Sequence, residues 1–301
     1  MGKLLKLARL QFLVAGLALF LFGAFVAALL GAPFSGLRLL LGCLIVLPAQ
    51  LAVNFGNDYF DTKSDQPDGG TLISGGSGVL LQHPELRTSV RRIVTGLIVF
   101  SLIMGLLFQQ AFAYPFWMLG LAVLGNLFGW MYSAPPFRLT ERGLGEVCFT
   151  LVIGFLLPMT GYLTLRGALD SAGAFLLIPL ILYALVFILS VEIPDLEGDR
   201  LGGKKTWILR TGRRLGFTMI GLLLIAATGY FFILSQLYSP PIRMDFRVAG
   251  GLSLLPLLPG LWGLVRRPRE RQPAIQIATW IIVMLALFLI LIDVYLFLLI
   301  N

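Results

Sequence analysis

Asn57, Asp58, Asp61 and Asp65 fall within one nine-residue stretch, Asn57-Asp58-Tyr59-Phe60-Asp61-Thr62-Lys63-Ser64-Asp65, directly after an apolar run long enough to cross a bilayer. Charge at a membrane boundary is costly and marks a site, and hard oxygen ligands at this density suit Mg²⁺ holding a phosphate. A second acidic stretch reads Glu192-Ile193-Pro194-Asp195-Leu196-Glu197-Gly198-Asp199-Arg200. Asp195 and Asp199 are four residues apart, as are Asp61 and Asp65, so the members of each pair share one face of a helix. Two such pairs aimed at one cavity repel each other unless cations sit between them, and one or two Mg²⁺ ions bridging a diphosphate meet that need. The chemistry points to a phosphorylated, lipid-like substrate.

The elements that position these clusters are membrane helices. Of the 301 residues, 58% are hydrophobic and only 13% charged, and the mean hydropathy is +0.91, which excludes a water-soluble domain. At about 20 apolar residues per crossing, nine spans are predicted: 10–30, 37–57, 93–113, 115–132, 144–165, 174–193, 215–237, 248–265 and 275–300. The first run is too long for a signal-peptide core and reads as a retained span. Strand alternation is absent and the connections are short, so residues 1–301 read as a single all-α polytopic domain.

All but four of the 23 basic residues fall in the N-terminal segment or in the loops after spans two, four, six and eight; the exceptions are Arg38, Arg166, Arg243 and Arg247. This asymmetry predicts a cytoplasmic N-terminus, cytoplasmic site loops and an outside C-terminus in a cell (inner) membrane. The net charge of +8 is thereby an orientation signal with contact to anionic lipid, and no nucleic-acid partner is implied. The same parity puts both acidic stretches on one face of the membrane.

An allylic diphosphate ionises when charge developing on its leaving group is stabilised, by Mg²⁺ and by basic side chains. Lys63, Arg200, Lys204 and Lys205 stand close to the acidic stretches and could serve, although each also reads as a plain orientation charge. The resulting cation needs an apolar, water-poor wall. Asn54, one turn before Asp58, either lines a cavity or bonds a neighbouring helix.

Nine spans, N-D-x-x-D-x-x-x-D after the second and D-x-x-x-D after the sixth together resemble the UbiA-type intramembrane prenyltransferases across nearly the whole chain. The resemblance implies nine transmembrane helices bundled around a central cavity. It also implies Mg²⁺-dependent transfer of a polyprenyl group from polyprenyl diphosphate to an acceptor. Metal ligation falls on Asn57, Asp61 and Asp65 at one pole and Asp195 and Asp199 at the other, with Asp58 beside them. Tyr132-Ser133-Ala134-Pro135-Pro136-Phe137-Arg138-Leu139 is similar to the family's Tyr-Ser-Pro-Pro-x-Arg-Leu region. Tyr132, Ser133 and Arg138 accordingly carry over as diphosphate or acceptor contacts, and Asp58, Asp61, Asp195 and Arg138 as the catalytic set. A Pro-rich turn capped by orientation charges is the plainer alternative for this segment.

For the acceptor, Gln66-Pro67-Asp68-Gly69-Gly70-Thr71, Ser74-Gly75-Gly76-Ser77-Gly78 and Asp199-Arg200-x-x-Gly203-Lys204-Lys205-Thr206 look most like the dihydroxynaphthoate polyprenyltransferase branch. The basic Asn-Arg-Pro-Leu-Pro-Ser-Gly type segment of many other relatives is missing, and so is the proline that many relatives carry after the first-helix arginine, here Arg9-Leu10. The branch implies prenylation of 1,4-dihydroxy-2-naphthoate with loss of CO₂, as in menaquinone biosynthesis. Hydroxybenzoate, homogentisate or a glycerol phosphate lipid are the competing acceptors. An ion-coupled transporter fits less well, because its carboxylates belong at mid-span. Cys43 and Cys148 read as helix-packing residues, His83 as a surface residue, and Gly69–Gly78 as a lid or an ordinary loop.

Overall fold

The runs read as membrane spans are helices because nothing polar interrupts them and, in hydrocarbon, only a helix satisfies every backbone group within one segment. The computed structural model describes residues 2–62, 76–168, 170–237 and 243–300. These residues are almost wholly helical and contain no strand. After a short α1 (Gly2–Ala8) come α2 (Leu10–Leu29) and α3 (Gly36–Phe60), then the single turn α4 (Val79–Gln82), α5 (Arg87–Phe112), α6 (Trp117–Ser133) and another turn, α7 (Leu139–Arg142). The next span runs as α8 (Gly145–Leu151), a π-turn and α9 (Leu157–Arg166); α10 (Ser171–Leu176), α11 (Ile178–Gly202) and α12 (Trp207–Leu237) follow. The last three are α13 (Phe246–Leu252), α14 (Leu254–Arg266) and α15 (Arg271–Ile300).

Among the described residues, 7 helices are long and apolar enough to cross a membrane, or 8 if α13 and α14, bent by 44°, form one span. The chain is therefore a multi-pass membrane protein, but the predicted nine spans are not confirmed. The difference lies in α6, which occupies the fourth predicted segment with 17 residues, short of the roughly 20 that a perpendicular crossing takes. Large apolar side chains such as Leu106, Leu107, Trp280 and Leu298 face outward, as expected where lipid rather than water is the solvent.

Helices with no water to flee from associate through close packing and internal hydrogen bonds. α2 and α9 cross backbone to backbone. A Cβ on Gly23 would lie 1.8 Å from the Pro158 carbonyl oxygen, and one on Gly161 1.8 Å from that of Phe20. A polar clasp joins three more helices: Asn126 Nδ2 of α6 donates to Ser101 Oγ of α5 at 3.0 Å, which donates to the Ile45 carbonyl of α3 at 2.8 Å. We expect Gly161→Val to lower stability by more than the 1–3 kcal/mol that is usual for overpacking, because backbone stands in the way. A thermal-melting series of detergent-solubilised Gly161→Val and Gly96→Val reads this out, since a Cβ at Gly96 meets nothing within 4 Å.

Candidate functional site

α3 and α11 both deliver carboxylates at their C-terminal ends, where the helix dipole is already negative. Asp61 caps α3, its backbone N–H donating to the Asn57 carbonyl at 2.8 Å. α11 ends at Gly203, whose φ of 75° suits glycine. That turn folds the chain back so that the Lys204 N–H donates to the Asp199 carbonyl at 3.0 Å, a Schellman-type closure. It also aims the Lys204 side chain into the gap between the two helix ends. Its Nζ lies 3.6 Å from Asp61 Oδ2 and 3.6 Å from Asp199 Oδ1. One ammonium thus bridges two acidic motifs well over a hundred residues apart in sequence.

Around this bridge is a polar pocket of about 120 Å³, lined by Asn57, Asp58, Asp61, Asp195, Asp199 and Lys204 among others. Ser133 Oγ lies 3.0 Å from Asn57 Oδ1 and 3.3 Å from Asp61 Oδ2, tying α6 to the α3 motif. Burial pushes the Asp61 carboxyl above the usual carboxylate range, while Lys204 and the Ser133 hydroxyl pull it back. Asp58 is 2% exposed. Its carboxylate accepts the Ser77 backbone N–H at 3.2 Å and the Ser77 hydroxyl, so it pins the end of the glycine-rich stretch against α3.

Behind the polar pocket lies an apolar chamber of about 270 Å³. The two share Arg9, Asn57, Tyr132, Ile188 and Val191. Just inside, Phe149 stacks on Phe187 with ring centroids 5.7 Å apart, and Phe12 meets Phe187 edge-on at 6.1 Å. Asn54 does both things open to it: it lines the chamber, and its Nδ2 donates to the Ala8 carbonyl at 2.8 Å.

Some predicted residues are not brought in. Arg138 lies on an exposed turn where its Nη1 pairs with Glu141 Oε1 at 3.0 Å, and it is outside the described pocket lining. Arg200 and Lys205 are exposed; the Lys205 backbone N–H donates to the Thr140 carbonyl at 3.3 Å. Lys63 and Asp65 lie outside the described residues, as does most of the glycine-rich stretch. In return the pocket includes residues to which the sequence assigns no role. Arg9, read there as an orientation charge, stands at the junction with its guanidinium 5.1 Å from the Phe12 ring. Glu146 and Glu192 line the polar wall. A carboxylate inside the apolar run from Gly143 to Leu157 was the available signal for Glu146.

The sequence matches the UbiA prenyltransferase family over residues 16–285. The chain belongs to that family. Among curated proteins it is 31% identical over 143 residues to the probable chloroplastic homogentisate phytyltransferase 2 of Oryza sativa subsp. japonica, covering 44% of this chain and 38% of that one. To the 1,4-dihydroxy-2-naphthoate octaprenyltransferase of Bacillus subtilis (strain 168) it is 21% identical over 184 residues, covering 61% and 57%. The matches thus span between two-fifths and three-fifths of these relatives. A solved UbiA homolog from Archaeoglobus fulgidus bound to GPP and Mg²⁺ superposes with a TM-score of 0.66 at 19% identity, over 98% of this chain and 99% of that one. The digeranylgeranylglyceryl phosphate synthase structure gives 0.67 at 16% identity over 96% and 97%. These structures share the UbiA fold.

The donor set suits Mg²⁺. Among the described residues no three acidic, His or Cys side chains converge closely enough to cage an ion, but Mg²⁺ is typically held by one or two carboxylates plus substrate phosphates. A cation already stands between Asp61 and Asp199 in the form of Lys204. Asp61→Ala and Asp199→Ala are each expected to reduce prenyl transfer by at least about 10³-fold by removing a carboxylate of the pocket, with melting temperatures near wild type because Lys204 keeps the other carboxylate as a partner. Steady-state rates beside melting curves check this, and wild-type rates would overturn the assignment.

Proposed function

We propose that this UbiA-family chain transfers a polyprenyl group from polyprenyl diphosphate to an aromatic acceptor in a Mg²⁺-dependent reaction, with 1,4-dihydroxy-2-naphthoate as the first candidate. The observation carrying the reading is the adjacency of a carboxylate-lined pocket and an apolar chamber that have five lining residues in common, Arg9, Asn57, Tyr132, Ile188 and Val191. A molecule with a doubly phosphorylated head and a hydrocarbon tail matches both parts at once. Asn57 and Asp61 on α3, with Asp65, would hold Mg²⁺ at one pole, and Asp195 and Asp199 on α11 at the other. Bound there, Mg²⁺ would offset charge on the departing diphosphate. Lys204 adds a positive charge beside the same leaving group. The Phe12, Phe149 and Phe187 rings keep water from the allylic carbon.

Arg9 fits the grip on an acceptor carboxylate better than Arg138 does, since it stands where the two cavities meet and Arg138 is paired elsewhere. Loss of the ring carboxylate as CO₂ would then complete the reaction. The acceptor branch rests on the loop resemblance and on the Bacillus subtilis relative. Homogentisate is the second reading, favoured by the higher identity to the Oryza sativa protein. The basic-residue asymmetry supports a cytoplasmic N-terminus and cytoplasmic site loops in the cell membrane, with the whole chain acting as one domain.

Purified protein is expected to prenylate dihydroxynaphthoate from geranylgeranyl or farnesyl diphosphate with Mg²⁺, and to stop on chelation. Turnover of homogentisate or hydroxybenzoate but not dihydroxynaphthoate would overturn the branch, and no turnover of any ring would overturn the function. We further expect Arg9→Gln to raise the acceptor KM about 10-fold or more, the scale of one charge-assisted hydrogen bond, and Arg138→Gln to leave it within about 2-fold. The ratio of the two KM values decides between the arginines.

A further inference from the structure

Glu146 and Glu192 are two acidic residues of the pocket wall that the diphosphate site leaves unused. Glu146 begins α8 and is 1% exposed; Glu192 lies on α11, one turn before Asp195, and is 6% exposed. Both converge on the N-terminus of α12. Glu146 Oε1 accepts the Trp207 N–H, and Glu192 Oε2 accepts the Ile208 N–H at 3.4 Å. Both carboxyl groups line the same polar pocket. Glu146 Oε2, moreover, is buried with no hydrogen-bond donor among the described residues. Facing the pair are Tyr132 of α6 and Asp199 of α11. An unfilled acceptor this deeply buried is costly, and its place in the pocket wall calls for a donor brought in from outside.

We propose that the Glu146–Glu192 pair is the docking point for a ring hydroxyl of the acceptor and receives its proton during transfer. The inference rests on the prenyltransferase reading above and deepens it. As ring π electrons form the new carbon–carbon bond, the allylic C–O bond breaks and its electron pair leaves with the diphosphate. The hydroxyl O–H pair moves into the ring carbon–oxygen bond, and the proton passes to Glu146. When CO₂ departs, the pair of its breaking bond restores the aromatic ring, the carbon–oxygen π pair returns to oxygen, and Glu146 gives the proton back. The acid pair finishes as it started.

Glu146→Gln keeps a carbonyl for the Trp207 N–H but cannot take a proton, so it separates chemistry from helix capping. Its kcat with a hydroxylated ring is expected to fall about 10²-fold, the low end for a general base, with the dissociation constant for prenyl diphosphate within about 3-fold of wild type. Glu192→Gln tests the same pair from its other side. The decisive measurement is a cycle against acceptors O-methylated at each hydroxyl in turn. Methylation at the docked position should cost wild type about 10²-fold and cost Glu146→Gln almost nothing further. An equal methylation penalty in both proteins, or an unimpaired Glu146→Gln, overturns the inference while leaving the function standing. If neither variant folds, equal equilibrium affinity of wild type for the hydroxylated and methylated rings overturns it. Wild type that prenylates no ring removes the function and this site together.

Discussion

Two helices that end in carboxylates and point at one another would not ordinarily share a space. Each negative dipole end adds to the charge of its own aspartates, and the hydrocarbon around them offers little screening. Lys204 makes the arrangement tolerable by standing 3.6 Å from a carboxylate of each helix. Much else follows from holding α3 and α11 in that opposition. α6 reaches the same place through Ser133, the end of the glycine-rich stretch is held through Ser77, and α3, α6 and α11 all contribute to the wall of the apolar chamber.

The opposite end of the electrostatic range lies a few ångströms along the same wall. The N-terminus of α12 presents N–H groups and a positive dipole end, and it receives Glu146 and Glu192. The connection from α11 to α12, only Gly203 to Thr206, therefore runs from a negative helix end to a positive one. This polarity gives one small pocket two electrostatically opposite sides, the division of labour that the proposed metal site and the proposed proton acceptor would use.

Much of this was legible in the sequence, for a physical reason. Carboxylates at the ends of long apolar runs stand out in hydropathy, and counting spans is enough to put Asp61 and Asp199 on one face. The helical spacing of Glu192, Asp195 and Asp199 then fixes which of them share a surface. What the sequence could not show was how side chains choose among partners. Arg138 has the right charge near the right motif, yet a glutamate three residues on satisfies it. Arg9 carries the same charge and is equally suited to orienting the chain, and only the path of α1 into α2 places it over the cavity junction. Span counting was weakest where length alone decides, at the short α6 and at the bend between α13 and α14.

The bridging lysine also acts as a built-in competitor. A divalent ion arriving by itself competes with an ammonium that already stands 3.6 Å from both carboxylates, so bare metal gains less from entering. On the proposed function, a metal that came with a diphosphate would supply the displaced ammonium with phosphate oxygens, and the pocket would then favour the ion and its substrate as one unit over the bare ion.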